Sequence, residues 1–268
     1  DQLRIVVDGA AEVEGACPNR MDPPVAHFAL ADLSRIELVR GPFSVRYGPT
    51  LGGMLNLVTL AGGGSGGPGF AGTAGVAGGS NGNLRLGDIR VSTGSDRLGV
   101  QLAASYSSGD DYRDGTGEIV PAGFYRDSAT VGLTVKPHAD HLVTARYHHV
   151  YMWDTDYPAL PMDADDDKTD MVVLGWQWKT GTAVDLIDAR VYASTVDHTM
   201  SNRNRPSLSM MLMETVADTA TRGARIEGRW IGETGMIQFG MDHRVREKDG
   251  IRSRTMNTGP TAGMTMSD

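Results

Sequence analysis

The chain has 268 residues and a formal net charge of -8, a balance that disfavours nucleic acid as a partner and leaves metals or cationic solutes open. No apolar run approaches the roughly 20 residues of a membrane-spanning helix, and residue 1 is Asp with no charged-then-apolar signal segment after it. Neither absence excludes a bilayer, because barrel strands alternate and average to a polar hydropathy; 35 glycines and 6% aromatic residues suit many strands and turns.

Leu3 to Val7 reads as a short apolar strand, and Asp8-Gly9 as the turn that ends it. Gly15 to Pro24 contains Pro18, Pro23 and Pro24, which forbid a regular element and make this a stiff loop. It carries two soft donors, Cys17 and Met21. Thiolate and thioether ligands favour Cu(I) over hard cations. Cys17 is the only cysteine and cannot form an internal disulfide; a lone cysteine is often no more than a small buried hydrophobe.

Ile36 to Val39 is a short strand stopped by Gly41-Pro42. Tyr47-Gly48-Pro49 and Gly52-Gly53 are further turns, and Met54 to Leu60 is a mostly apolar run, the mark of a strand buried on both faces. Arg40-Gly41-Pro42, Tyr47-Gly48, Gly52-Gly53, Asn56 and Thr59 together resemble the end of the plug domain of TonB-dependent outer-membrane receptors. The resemblance implies a plug inside a large β-barrel in the outer membrane of a Gram-negative bacterium. It also implies an energy-transducing TonB complex as partner, contacting a segment expected before Asp1. Residues 1–60 are accordingly expected to be the C-terminal part of a plug, residues 61–69 a Gly-rich linker, and residues 70–268 the N-terminal part of a transmembrane barrel.

Beyond the linker the pattern is period two. Leu98, Val100, Leu102, Ala104 and Tyr106 alternate with small or polar residues, as do Ala129, Val131, Leu133 and Val135. Short connections at 137–140, 180–182 and 232–234 alternate with long polar stretches at 109–123, 154–168, 202–213 and from 247 onward. Tight turns on one side and long loops on the other are the habit of outer-membrane barrels. Tyr147, Tyr151 and Trp153 lead into a long loop and Trp176 and Trp178 lie beside a short turn, matching two interfacial girdles against outer-membrane lipids. The fold expected is therefore an all-β-dominated membrane protein, a plug fragment followed by about nine antiparallel up-and-down strands of an incomplete barrel.

Val184 to Ser201 is expected to be one long strand. Ile187, Ala189, Val191 and Ala193 form its apolar face, while Tyr192, Ser194, His198 and Met200 share the opposite, lumen-facing parity. His198 and Met200 thus project together from the outer end of the strand. With Cys17-x-x-x-Met21, the pair His198-x-Met200 resembles the binding site of the TonB-dependent copper receptors. That resemblance implies that Cys17, Met21, His198 and Met200 converge on one copper ion, held as Cu(I). Met210, Met211 and Met213 lie in the outer stretch that follows, where they either collect copper or pack. His148 and Met152 share a lumen parity and are expected to line the wall. Asp163, Asp165, Asp166 and Asp167 read as a solvated loop without the spaced Gly and Glu of a calcium loop.

The function these readings imply is transport: capture of copper and its import into the periplasm by displacement of the plug. A receptor for a siderophore or other metal chelate is the alternative on the same fold. A copper enzyme is disfavoured, because a catalytic copper centre uses several imidazoles and an open position, whereas one imidazole with three sulfurs is a binding site.

Overall fold

The computed structural model describes residues 3–17, 22–41, 45–48, 50–59 and 69–268. Met21 and most of the expected linker lie outside the described residues.

The N-terminal part is a three-stranded sheet of β1 (Leu3–Val7), β2 (Leu33–Arg40) and β3 (Gly53–Thr59) in the order β1-β3-β2. β3 runs parallel to β1 and antiparallel to β2. Its apolar run serves the central position, where both faces are covered. Gly53 holds φ +121°, and an added Cβ would lie 2.1 Å from the backbone oxygen of Val39. Only glycine enters β3 that way. Asn56 accepts from the Gly9 N–H at 2.8 Å and donates to Glu37 at 2.7 Å. The Thr59 N–H and hydroxyl both donate to the Asp8 carboxylate, at 3.0 and 2.6 Å. The polar positions of the strand therefore pin the Asp8-Gly9 turn.

The remainder is one ten-stranded antiparallel sheet. Its long strands are β4 (Gly69–Gly79), β5 (Leu84–Gly94), β6 (Leu98–Gly109), β9 (Phe124–His138), β10 (His141–Thr155), β11 (Asp163–Lys179), β12 (Val184–Ser201), β13 (Met211–Gly232) and β14 (Gly235–Met256). The short β15 (Thr265–Ser267) pairs with β14, and a small hairpin of β7 (Tyr112–Arg113) and β8 (Ile119–Val120) stands between β6 and β9. Each long strand pairs with the next in sequence, an up-and-down meander. No helix among the described residues is long and apolar enough to cross a membrane.

The long connections are shorter than their polar composition suggested. β11 already begins at Asp163, β13 at Met211, and β14 runs on to Met256. Charged side chains extend these strands because ladder hydrogen bonds do not depend on side-chain polarity. The four aspartates read as a solvated loop are thus corrected to strand residues, and Asp163 and Asp167 are 3% and 1% exposed.

Side-chain parity divides the sheet. Val131, Leu133, Val143, Tyr147, Val172, Leu174 and Val191 are exposed on the outer face. Stacked rings sit near both ends of that face: Tyr125, Trp153 and Tyr151 at one, His141, Trp176 and Trp178 at the other. Trp176 is opposite Val143, ten residues before Trp153 on β10. At about 3.3 Å per residue and a tilt near 40°, the two groups stand roughly 25 Å apart, the height of an outer-membrane apolar band.

The inner face carries the three-stranded unit. Val7, Ala11, Val13, Ala16, Phe28, Leu33 and Leu57 form one core with Met171, Val173, Tyr192, Val196 and Ala217 of the wall. Ion pairs stitch the same interface: Asp8 with Arg146 at 3.3 Å, Arg46 with Glu227 at 2.8 Å, Glu14 with Arg246 at 3.1 Å, and Glu12 with Arg244.

Candidate metal centre

Residues 10–17 form a run of small and acidic residues threaded between β1 and the wall, and the wall fixes their backbone. The Ser194 hydroxyl donates to Glu12 O at 2.9 Å, and Lys248 Nζ donates to Gly15 O at 3.0 Å and to Cys17 O at 3.3 Å. Asp22 folds back so that both carboxylate oxygens accept from the Cys17 N–H at 3.1 Å. That fold needs glycine at position 15, since a Cβ there would lie 2.1 Å from Asp22 O. Cys17 is held as a buried thiol, 1% exposed.

The wall meets it with β12. His198 and Met200 point inward and are buried, as their parity predicts. Cys17 Sγ lies 3.9 Å from Met200 Sδ. His198 stands beside them, with a ring nitrogen in one group with the carboxylate of Asp22 that accepts from the Cys17 N–H. Three of the four residues singled out from sequence therefore meet at one point; Met21 falls outside the described residues. Ala164 is the cross-strand partner of Met200, and the register shift between Ala164 and Asp166 is a bulge of β11 beside the centre. Met162 packs against Cys17 and Met200, with Met213 at the edge of the cluster. Met213 lies on β13, while Met210 in the preceding loop is exposed.

Sequence reasoning missed the carboxylates. Asp167 pairs with His198 across β11 and β12, and its Oδ2 lies 2.9 Å from His198 Nδ1. Asp22, Asp167 and His198 are all buried, with ligand-type atoms within 4.8 Å of one another. Parity held the signal: Asp167, Thr169, Met171 and Val173 alternate as one inward face, a continuation hidden by the charged run 165–168.

His148 serves the interface. Its Nε2 donates to the His27 carbonyl at 3.0 Å, its Nδ1 is hydrogen-bonded to Thr130 Oγ1 at 2.9 Å, and Phe28 stacks on its ring. Above the centre, the 156–162 loop contributes Tyr157. Burial, and then the charges of Asp167, Asp22 and Cys17, push its hydroxyl up to about 12. Burial, followed by Asp163 and Asp111, raises the Asp156 carboxyl. Both shifts run in the direction that partial burial and neighbouring negative charge produce, and negative charge beside the centre favours a cation. Two sulfurs and an imidazole, with two carboxylates beside them to balance charge, can bind a soft metal ion.

No family model and no curated protein matches the chain. Solved structures do. The chain is similar to a structure titled copper transporter OprC, with a TM-score of 0.86, 22% identity, and coverage of 100% of this chain and 51% of that one. It is also similar to the ferric citrate transporter FecA in its unliganded form, with TM-score 0.68, 17% identity and coverage of 100% and 42%. A ferric enterobactin receptor, PfeA from Pseudomonas aeruginosa, aligns with TM-score 0.69, 12% identity and coverage of 97% and 48%. The chain spans about half the length of the structures it matches or less. It has the fold of these receptors: a plug sheet against an up-and-down barrel wall, here not closed.

Proposed function

We propose that this chain belongs to a TonB-dependent outer-membrane receptor that captures copper as Cu(I) and imports it into the periplasm by displacement of the plug. The carrying observation is the meeting of Cys17 Sγ with Met200 Sδ at 3.9 Å, one sulfur from the plug and one from the wall, beside His198. Cys17, Met21, His198 and Met200 are the ligands in this reading: three sulfurs and one imidazole, the soft set that Cu(I) prefers. Asp22 and Asp167 add negative charge that stabilises a bound cation.

The division of ligands supplies the release step. A pull by the TonB complex that shifts the plug separates Cys17 and Met21 from His198 and Met200. One tight site becomes two weak halves, and copper leaves toward the periplasm. Binding rather than redox catalysis suits a ligand set of one imidazole and three sulfurs.

Copper per purified full receptor, alongside copper-limited growth, tests this. Wild type binds one ion. Cys17→Ala loses the most, because it removes the only anionic ligand, and Met21→Ala loses less, because a thioether is the weaker donor. Full loading and intact uptake in Cys17→Ala would overturn the copper reading. Because the fold is shared with the ferric receptors, that result would promote a siderophore or other metal chelate as cargo.

A further inference from the structure

We infer that Asp167 is the positioning residue of this centre: its carboxylate fixes the His198 ring so that Nε2 is the metal-binding nitrogen. The inference rests on the copper reading and adds a residue to it that does not touch the ion.

A carboxylate accepts hydrogen bonds only. At 2.9 Å, His198 Nδ1 must therefore donate to Asp167 Oδ2. A neutral ring with its proton on Nδ1 carries its lone pair on Nε2. His198 Nε2 has no nitrogen or oxygen partner among the described residues, and the ring is 2% exposed. A buried, unpaired lone pair is costly unless something occupies it. Asp22, whose carboxylate accepts from the Cys17 N–H, lies with Asp167 and His198 in a group whose ligand-type atoms are within 4.8 Å of one another, so the ring stands in the same cluster as the Cys17 and Met200 sulfurs.

Rigidity supports the assignment. Asp167 and His198 are cross-strand partners just past the bulge of β11, where the regular ladder that runs on to Lys179 begins and side chains on one face are held a fixed distance apart. Asp167 is 1% exposed. Its Oδ1 lies 3.6 Å from Nδ1 of His27, and that nitrogen is 2.8 Å from Thr169 Oγ1. His27 comes from the plug, so one carboxylate faces a wall histidine and a plug histidine. A solvated surface aspartate has none of these neighbours. A carboxylate hydrogen-bonded behind a ligating imidazole orients the ring and makes it a stronger donor.

The test is a double-mutant cycle on the full receptor in detergent, read as Cu(I) affinity by chelator competition and as copper X-ray absorption. Asp167→Ala should weaken Cu(I) about 10- to 100-fold, the range typical of a lost outer-shell partner, and should reduce the imidazole scattering of the bound ion. Asp167→Glu should restore part of both. Asp167→Ala added to His198→Ala should cost nothing further, because its effect runs through that ring. Retained folding is checked by the heat-dependent gel mobility of the barrel, and Asp167→Leu, which has no acceptor, serves if Asp167→Ala does not fold. Additive losses in the double mutant, or unchanged affinity and imidazole scattering in the folded variant without an acceptor, overturn the inference while leaving the copper site intact. If wild type binds no Cu(I), or Cys17→Ala and His198→Ala bind it as wild type does, the copper reading fails and this inference with it.

Discussion

Met200 allows packing and ligation to be separated. Its side chain is fully buried, 0% exposed, between Cys17 and Met162. Burying a methionine completely contributes about 1.5–3 kcal/mol. Met200→Ala removes that and leaves a cavity beside Cys17 and Met162, for a loss of about 2–5 kcal/mol. Met200→Leu conserves volume and apolarity and should cost less than about 1.5 kcal/mol. It nevertheless removes the sulfur. If Met200 is a ligand, Met200→Leu loses at least the ~10- to 100-fold in affinity that even an outer-shell partner contributes, about 1.4–2.7 kcal/mol. The two variants therefore differ widely in stability and agree in copper loss. Urea unfolding in detergent, followed by tryptophan fluorescence, reads the first quantity, and chelator competition for Cu(I) reads the second. A Met200→Leu variant with wild-type copper affinity would refute the reasoning and make Met200 a packing residue.

Other consequences are equally direct. Asp8→Ala strips the buried Thr59 N–H and hydroxyl of their shared acceptor, so it should cost the three-stranded unit about 1–3 kcal/mol; hydrogen exchange in β3 should accelerate, and unchanged protection would contradict the pairing. Gly53→Ala places a Cβ 2.1 Å from the Val39 backbone oxygen at φ +121°, and should cost at least the ~1–3 kcal/mol of a strained backbone position, visible as a lower urea midpoint. The Asp114 carboxyl is held below its usual range, first by the Thr116 hydroxyl and then by the Thr116 N–H. A lowered folded value means stability present above about pH 4 and lost as pH falls through the folded value. The β7–β8 hairpin should therefore loosen in acid, as followed by loop amide exchange at pH 5 and pH 2, and Asp114→Ala should abolish that difference.

Local pattern in the chain was enough to determine the architecture. Strict alternation over Leu98–Tyr106 and Ala129–Val135 already separates an outer apolar face from an inner one, because a strand sends neighbouring side chains to opposite sides. The apolar run from Met54 likewise announced a central strand, and the resemblance of Cys17-x-x-x-Met21 and His198-x-Met200 to the copper-receptor motif marked those four soft-donor residues as a candidate set. Strand ends were less legible. Asp163–Lys168 looks like loop because its composition is polar, yet ladder pairing with β12 carries it. Asp167 and Asp22 gained their place only from tertiary structure. An aspartate is ordinarily solvated, and nothing near Asp167 in sequence reveals that His198 lies across the ladder and His27 comes from the plug. The 3.9 Å approach of Cys17 to Met200 joins residues 183 positions apart. Such a contact is decided by how the plug packs on the wall, through the shared apolar core and the ion pairs around it, and no local pattern encodes it.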